Sequence, residues 1–178
     1  MTRTLLLILL ALAGSAHAQT ERTLPDPKLT PGEARGELSL AEICATAWGK
    51  DRRLVTEAMK AQVHAEYRNS CPSGKTEIDH LISRELGGAD TVANLWEQCY
   101  EAPVAGKTAS QTAEFGAHKK DRLEDDYGKR ICLPPSDPMY LTVAQARTAL
   151  KTDWITAYIE RYGDPLTQPQ PHGITPSH

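Results

Sequence analysis

Two neighbouring side chains, the carboxylate of Asp79 and the imidazole of His80, are the residues of this sequence best suited to chemistry. A glycine pair, Gly87-Gly88, follows them, and Asn94 stands fourteen residues after His80. A carboxylate is a hard oxygen ligand for a metal ion, and an imidazole titrates near neutral pH and acts as a base. Together with a polar residue that fixes the base, these groups are what metal-assisted hydrolysis of a phosphodiester needs.

The elements that position this pair are predicted to follow the order strand, loop, strand, helix. The sequence predicts a strand over residues 76–82, a shorter strand over residues 93–98 and a helix over about residues 114–127. If the two strands pair as a hairpin, His80 comes to lie near Asn94 at its end.

Two further helices are predicted from apolar residues at helical spacing. Met59, Val63 and Tyr67 recur every four residues and predict the first. A longer stripe predicts the second, and it consists of Val143, Ala146, Leu150, Trp154, Ala157 and Tyr158. Trp154 and Tyr158 are interpreted as core residues rather than as a platform for stacking bases. The expected fold class is therefore α+β and mostly helical.

The spacing of three short segments resembles the HNH branch of the ββα-metal endonucleases. The segments are Asp-His-Leu-Ile at 79–82, Leu-Gly-Gly at 86–88 and Asn-Leu-Trp at 94–96. The resemblance implies a ββα-metal core of hairpin and helix, with further helices packed outside. It also implies that His80 takes a proton from water, that Asp79 binds one divalent metal ion, and that Asn94 holds the loop between the strands. Mg²⁺ is the expected ion, with Mn²⁺, Ni²⁺ or Zn²⁺ as alternatives.

The function implied by the resemblance is that of an exported, metal-dependent endonuclease. Its expected substrate is DNA, with RNA not excluded, and its expected products carry 5′-phosphate and 3′-hydroxyl ends. Because the sequence shows no module for reading bases, cleavage is expected to be weakly sequence-specific. Two alternatives stay open: a non-catalytic exported domain that keeps the fold for binding or envelope structure, and a metalloenzyme for another phosphoester.

The last metal ligand is the point at which the chain departs from the family pattern. HNH nucleases supply an Asn or His from the following helix, usually three residues before a Lys. Counting back from Lys120 gives Ala117, which cannot coordinate a metal. His118 and Asp121 are the two remaining candidates for this role. Lys120 itself is expected to contact a phosphate or to pair with Glu124 across one helical turn.

The amino terminus has the organisation of a secretory signal peptide over residues 1–18. Arg3 supplies a positive charge, residues 5–13 are apolar, and Ala16-His17-Ala18 fits a signal-peptidase site. The mature chain is therefore expected in the periplasm or outside the cell. The apolar run is too short for a stable membrane anchor.

The rest of the chain is expected to form one domain between two loose segments. Residues 19–38 are rich in Pro, Gly and charge and predict a flexible linker. Residues 39–163 are expected to form the HNH-like domain. Residues 164–178 are rich in Pro and predict a disordered tail.

Four cysteines fit an oxidising compartment: Cys44, Cys71, Cys99 and Cys132. They allow three pairings, and the sequence alone does not choose between them. The predicted hairpin favours one pairing, since Cys71 and Cys99 would face each other just beyond its ends and leave Cys44 with Cys132. A zinc site is the alternative, but it usually needs close Cys-x-x-Cys pairs, and none is present. Two disulfides are therefore predicted.

The charge of the chain argues against extensive contact with nucleic acid. The formal net charge is −3, and removal of Arg3 with the signal peptide makes it −4. Proteins that hold duplex nucleic acid through many phosphate contacts are usually basic. An acidic nuclease must therefore rely on a local group of cations and on its bound divalent ion.

Overall fold

The computed structural model describes residues 24–48, 51–68, 71, 74–100 and 115–164. The predicted signal peptide, residues 1–18, lies outside these ranges, as does the predicted tail from residue 165 onward. Within the described ranges, no helix is both long and apolar enough to cross a membrane.

The described chain has an α+β fold of four helices and one two-stranded antiparallel sheet, which confirms the predicted class. The helices are α1 (Leu40–Ala45), α2 (Glu57–Tyr67), α3 (Ala117–Arg130) and α4 (Val143–Tyr162). The strands are β1 (Thr76–His80) and β2 (Leu95–Cys99), and two short 3-10 helices (Arg84–Leu86 and Val92–Asn94) lie in the connection between them.

The hairpin differs by one residue from its predicted register. His80 pairs with Leu95, whereas the sequence placed it opposite Asn94. The reason is the 3-10 turn at Val92–Asn94, which delays the start of β2 to Leu95. At the other end of the sheet, Thr76 pairs with Cys99.

Helix α2 forms as its apolar spacing predicts. Its N-cap Thr56 accepts a hydrogen bond from the backbone N–H of Met59, which satisfies one of the unpaired donors of the first turn. Val63 and Tyr67 are buried against the sheet, together with Leu95 of β2. This packing fixes one face of the hairpin.

Helix α4 includes all six residues of the predicted apolar stripe but contains a break that the sequence pattern did not indicate. Asp153 has φ −165° and ψ 93°, which is not helical. Its carboxylate accepts hydrogen bonds from the backbone N–H groups of Ile155 and Thr156, so it caps the second half of the helix. The apolar stripe continues across the break, and Trp154 and Tyr158 are core residues as predicted.

The main core lies between α1, α3 and α4. Its larger buried side chains are Ile43, Leu86, Phe115, Leu123, Leu150 and Trp154. Helix α3 begins three residues later than predicted, at Ala117, and Leu123 faces inward with no exposed surface. The helix therefore packs one side on α4 and presents another side to the hairpin.

Two disulfides close the fold, and both predicted pairings are confirmed. Cys44 joins Cys132 and so links α1 to the residues that follow α3. Cys71 joins Cys99, the last residue of β2. The corresponding Cα–Cα distances of 5.7 and 5.5 Å are ordinary for disulfides.

The segment predicted as a flexible linker, residues 19–38, differs from that expectation in its described part, residues 24–38. Thr30 is 1% exposed, and its hydroxyl donates to the backbone carbonyl of Leu95 at 2.7 Å. Further along, the N–H of Arg35 donates to the carbonyl of Gly87, and Ala34 bridges Gly88. The amino-acid composition predicted a flexible linker because composition carries no information about backbone hydrogen bonds to a loop that is distant in sequence.

The substitution Gly88→Ala is predicted to destabilise the fold. An added Cβ would lie 1.8 Å from the carbonyl oxygen of Ile82, so the backbone must shift. We expect a loss of about 1–3 kcal/mol in the free energy of unfolding, the usual cost of overpacking. Thermal melting measures this, with Gly36→Ala as control because that Cβ would meet nothing within 4 Å. Equal melting temperatures for the two variants would contradict the prediction.

Candidate functional site

The site is built around the last two residues of β1, whose side chains leave the strand on opposite faces. Asp79 faces α3, where it bonds to Lys120. His80 faces the connection between the strands, where its ring bonds to Asp90. The two residues that the sequence singled out therefore belong to two adjoining half-sites.

The His80 half-site is a hydrogen-bonded pair. Nε2 of His80 lies 2.7 Å from Oδ1 of Asp90, and the two side chains are 6% and 9% exposed. Oδ2 of Asp90 accepts the backbone N–H of Leu54 at 2.7 Å, which fixes the carboxylate. An ionised carboxylate only accepts hydrogen bonds, so the neutral ring carries its proton on Nε2 and its lone pair on Nδ1.

Burial sets the protonation of this pair. It lowers the pKa of His80, and Arg53 acts in the same direction, while the carboxylates of Asp79 and Asp90 offset part of the effect. The pKa of Asp90 would be raised by burial, but the bonds from the Leu54 N–H and from His80 bring it below its ordinary value. At neutral pH the ring is therefore neutral and the carboxylate charged, which is the state required of an oriented base.

Asn94 holds the loop that carries Asp90. Its side chain is completely buried, and Oδ1 accepts the N–H of Ile82 at 2.9 Å. Nδ2 donates to the carbonyls of Ile82 and Ala89, each at 3.0 Å. Asn94 thus clamps the loop as its place in the motif led us to expect, and it acts on His80 through the loop rather than by contact.

The Asp79 half-site is organised by a buried cation. Nζ of Lys120 has no exposed surface and lies 2.6 Å from Oδ2 of Asp79, 2.7 Å from the carbonyl oxygen of His80 and in contact with Glu124. Burial alone would lower the pKa of Lys120, but the two carboxylates raise it, so the ammonium stays charged. Of the two expectations for Lys120, the structure shows the pair with Glu124; the side chain is directed inward and away from any phosphate at the surface.

An acidic cleft of about 340 Å³ opens beside Asp79. Asp121 and Glu124 share this cleft, and Lys120 is the cation paired with the acids at its base. Burial and the charge of Asp79 raise the pKa of Asp121, and burial raises that of Glu124, although Lys120 opposes both changes. Five carboxylates line the cleft, and the cations beside them are the guanidinium of Arg84 and the ammonium of Lys120.

The structure separates the two candidates for the last metal ligand. Asp121 lies in the acidic cleft with Asp79. The side chain of His118 is 80% exposed and does not line that cleft; its Nδ1 lies 3.9 Å from Oδ2 of Asp121. Ala117 is fully buried. The geometry thus favours Asp121 over His118 as the partner of Asp79.

The donors in the cleft are carboxylate oxygens, a ligand type that hard divalent cations prefer. Among the described residues, no group of three or more His, Cys, Asp or Glu side chains is arranged to hold a metal. Mg²⁺ does not require such a cage, since it is commonly held by one or two carboxylates, waters and substrate phosphate oxygens. Asp79 and Asp121 supply carboxylates of that kind.

No protein-family model, curated protein or solved structure matches the chain. The resemblance to HNH nucleases therefore rests on the motif residues and their spacing.

Two residues of the site were missed at the sequence level. Asp90 follows the glycine pair within the loop, and its bond to His80 depends on how that loop folds back. Arg84 lines the acidic cleft, donates to Asp51, and places its Nε 3.4 Å from Oδ1 of Asp90. The one available signal was the position of Asp90 between the glycines and Asn94, inside the motif itself.

The substitution Lys120→Met is predicted to destabilise the protein strongly. It leaves Asp79 and Glu124 in a largely buried position without their cation, and breaking a buried ion pair in this way typically costs about 3–5 kcal/mol. Thermal and urea unfolding measure the loss. Lys129→Met is the matched control on the same helix, because Lys129 is 72% exposed and pairs with Asp125 one turn away at the surface. A melting temperature of Lys120→Met as high as that of the control would contradict the prediction.

Proposed function

We propose that this chain is an exported, metal-dependent endonuclease that hydrolyses phosphodiester bonds in DNA, with RNA not excluded, and with weak sequence specificity. The observation that carries the proposal is the His80–Asp90 pair, a neutral imidazole held by a carboxylate next to a cleft of oxygen ligands. A base of this kind, adjacent to a place for a divalent ion, is what phosphodiester hydrolysis requires.

The order of elements supports the same proposal. Strands β1 and β2 form a hairpin, and α3 is the next helix among the described residues. Lys120 of α3 bonds to Asp79 and to the carbonyl of His80 at the end of β1. Hairpin and helix thus meet at the motif, as expected for a ββα-metal core. The two disulfides are compatible with export to the periplasm or beyond.

In the proposed reaction His80 is the general base. Its Nδ1 takes a proton from a water molecule as the water oxygen attacks phosphorus, and the P–O3′ bond breaks. The leaving 3′ oxygen takes a proton from a second water molecule, which gives a 5′-phosphate and a 3′-hydroxyl. Asp90 stabilises the imidazolium that forms and keeps the ring in place. Asp79 and Asp121 would hold the divalent ion, which supplies neutralisation of the charge that develops on the phosphate and the leaving oxygen.

Two arginines provide positive charge near the base in an otherwise acidic protein. Arg53 is exposed, donates to the carbonyl of Ile78 at 2.9 Å, and is close enough to influence the pKa of His80. Arg84 lies between Asp90 and the acidic cleft. We assign Arg53 to the substrate phosphate, because its guanidinium is at the surface and Arg84 is already bonded to Asp51.

A non-catalytic exported domain is the second candidate, and one observation favours it. Lys120 already neutralises Asp79, as expected if the site were kept only for its contribution to the fold. A third possibility, a metalloenzyme for another phosphoester, shares the chemistry proposed here and differs only in substrate. The cleavage assay below discriminates between the first two.

Replacement of the base tests the proposal directly. His80→Ala is expected to reduce metal-dependent nicking of plasmid DNA by roughly 10²–10⁴-fold, the usual contribution of a general base. The assay compares Mg²⁺, Mn²⁺ and EDTA on the purified, oxidised mature protein. His64→Ala is the matched control, since that His is on α2, is half-exposed and bonds to Glu97 instead. Folded wild-type protein that cuts neither DNA nor RNA with any metal would overturn the proposal in favour of the non-catalytic domain.

The pH dependence of cleavage provides a second test. Only the neutral ring acts as a base, and the pKa of His80 is lowered, so the rate is expected to fall only below the ordinary imidazole value of about 6.5. The carboxylate of Asp90 raises the pKa of His80, so Asp90→Asn is expected to move this acid limb to still lower pH while lowering the plateau. A profile of kcat/KM at saturating metal measures both effects. An acid limb that stays in place in Asp90→Asn would contradict the assigned pair.

A further inference from the structure

A second groove adjoins the acidic cleft. It has a volume of about 350 Å³, and Trp48, Glu85 and Asp125 line both depressions. The disulfide Cys44–Cys132 lies along its other side. The groove thus leads away from Asp79, with Trp48 at the junction.

Trp48 is a partly exposed aromatic ring held in a fixed orientation. Its indole N–H donates to the carbonyl of Ile43 at 3.0 Å, which anchors one edge of the ring. The guanidinium groups of Arg35 and Arg84 lie over the ring, with their central carbons 5.3 and 5.8 Å from its centroid, and the ring also lines both depressions. A rigid indole flanked by guanidinium groups is suited to stacking with another flat π-system.

The charges of the groove indicate which part of a nucleic acid it accepts. Glu85 and Asp125 repel phosphates, and Lys129, which also lines the groove, is paired with Asp125. Burial together with the charge of Asp125 raises the pKa of Glu85, although Lys129 opposes this change. Carboxylates accept hydrogen bonds from the amino and imino groups on base edges. The groove is therefore suited to a base and not to the phosphate backbone of the nucleic acid. We expect the phosphate to lie near His80 and Arg53 instead.

We propose that Trp48 stacks a nucleobase adjacent to the scissile phosphate, and that the preferred substrate is consequently a single strand or an unpaired base. This inference rests on the proposed nuclease function and specifies its substrate class. A base within a duplex has both faces covered by its neighbours, whereas an unpaired base offers a face to an aromatic side chain. Glu85 and Asp125 contact the edge of the stacked base.

The tryptophan content of the chain makes the stacking directly observable. Of the three tryptophans, Trp96 and Trp154 have no exposed surface, so a ligand that quenches tryptophan fluorescence by stacking must do so through Trp48. The probe is a short single-stranded DNA oligonucleotide of mixed sequence, added in EDTA to the His80→Ala protein so that no cleavage occurs. We expect quenching in this protein and none after the further substitution Trp48→Phe.

Two replacements at the same position separate stacking from packing. Affinity is measured by the anisotropy of a labelled oligonucleotide, again in EDTA and in the His80→Ala background. Trp48→Leu keeps an apolar side chain but removes the π-face, and it is expected to weaken binding roughly 5- to 150-fold. Trp48→Phe keeps a π-face and is expected to bind close to the parent protein. Thermal melting confirms that each protein is folded.

Three results would overturn the inference: unchanged tryptophan fluorescence at saturating oligonucleotide, equal affinity of Trp48→Leu and Trp48→Phe, or equal affinity for the oligonucleotide and its duplex. Each is independent of the cleavage assay. If metal-dependent nicking depends on His80 but Trp48→Leu binds the oligonucleotide normally, the proposed nuclease activity is supported and only the stacking site is refuted. Loss of all cleavage, with quenching intact, would instead remove the nuclease and leave a binding domain.

Discussion

The buried ammonium of Lys120 is the interaction on which the rest of the site depends. A charged group with no access to water is tolerated only when opposite charges and hydrogen bonds replace its solvation, and here Asp79, Glu124 and the carbonyl of His80 do so. These partners belong to two elements that are distant in sequence. Satisfying the charge therefore fixes where α3 crosses the end of β1, and with it the position of both motif side chains.

The other half of the site is held by neutral contacts. The side chain of Asn94 makes three hydrogen bonds within the connection between the strands and accepts a fourth from the N–H of Glu33. Residues 24–38 run along that connection and add backbone bonds of their own. A loop secured on both sides keeps Asp90 against His80 without help from a substrate. In the proposed reaction, preorganisation of this kind would lower the cost of aligning the base.

Much of the fold could be predicted from local sequence patterns. Most of the features that could not be predicted depend on contacts between residues distant in sequence. Apolar spacing was sufficient for α2, for α4 and for the hairpin, because burial of one face selects the element. The same reasoning did not predict that Lys120 is buried, because charged residues are mostly exposed. Its burial depends on its contacts with Asp79 and Glu124, which the sequence pattern does not show. Asp90 was missed for a similar reason, because a loop residue acquires its partner only when the loop folds back.

The disulfide between Cys44 and Cys132 has a consequence for what happens when the backbone is cut. It closes a covalent ring that contains Asp79, His80 and Lys120, and the bond between Cys71 and Cys99 forms a smaller ring within it. A single cut of the backbone inside the larger ring converts it into two pieces that remain joined through sulfur. The fragments that carry the residues of the site would then stay covalently linked, so neither fragment diffuses away from a nicked molecule.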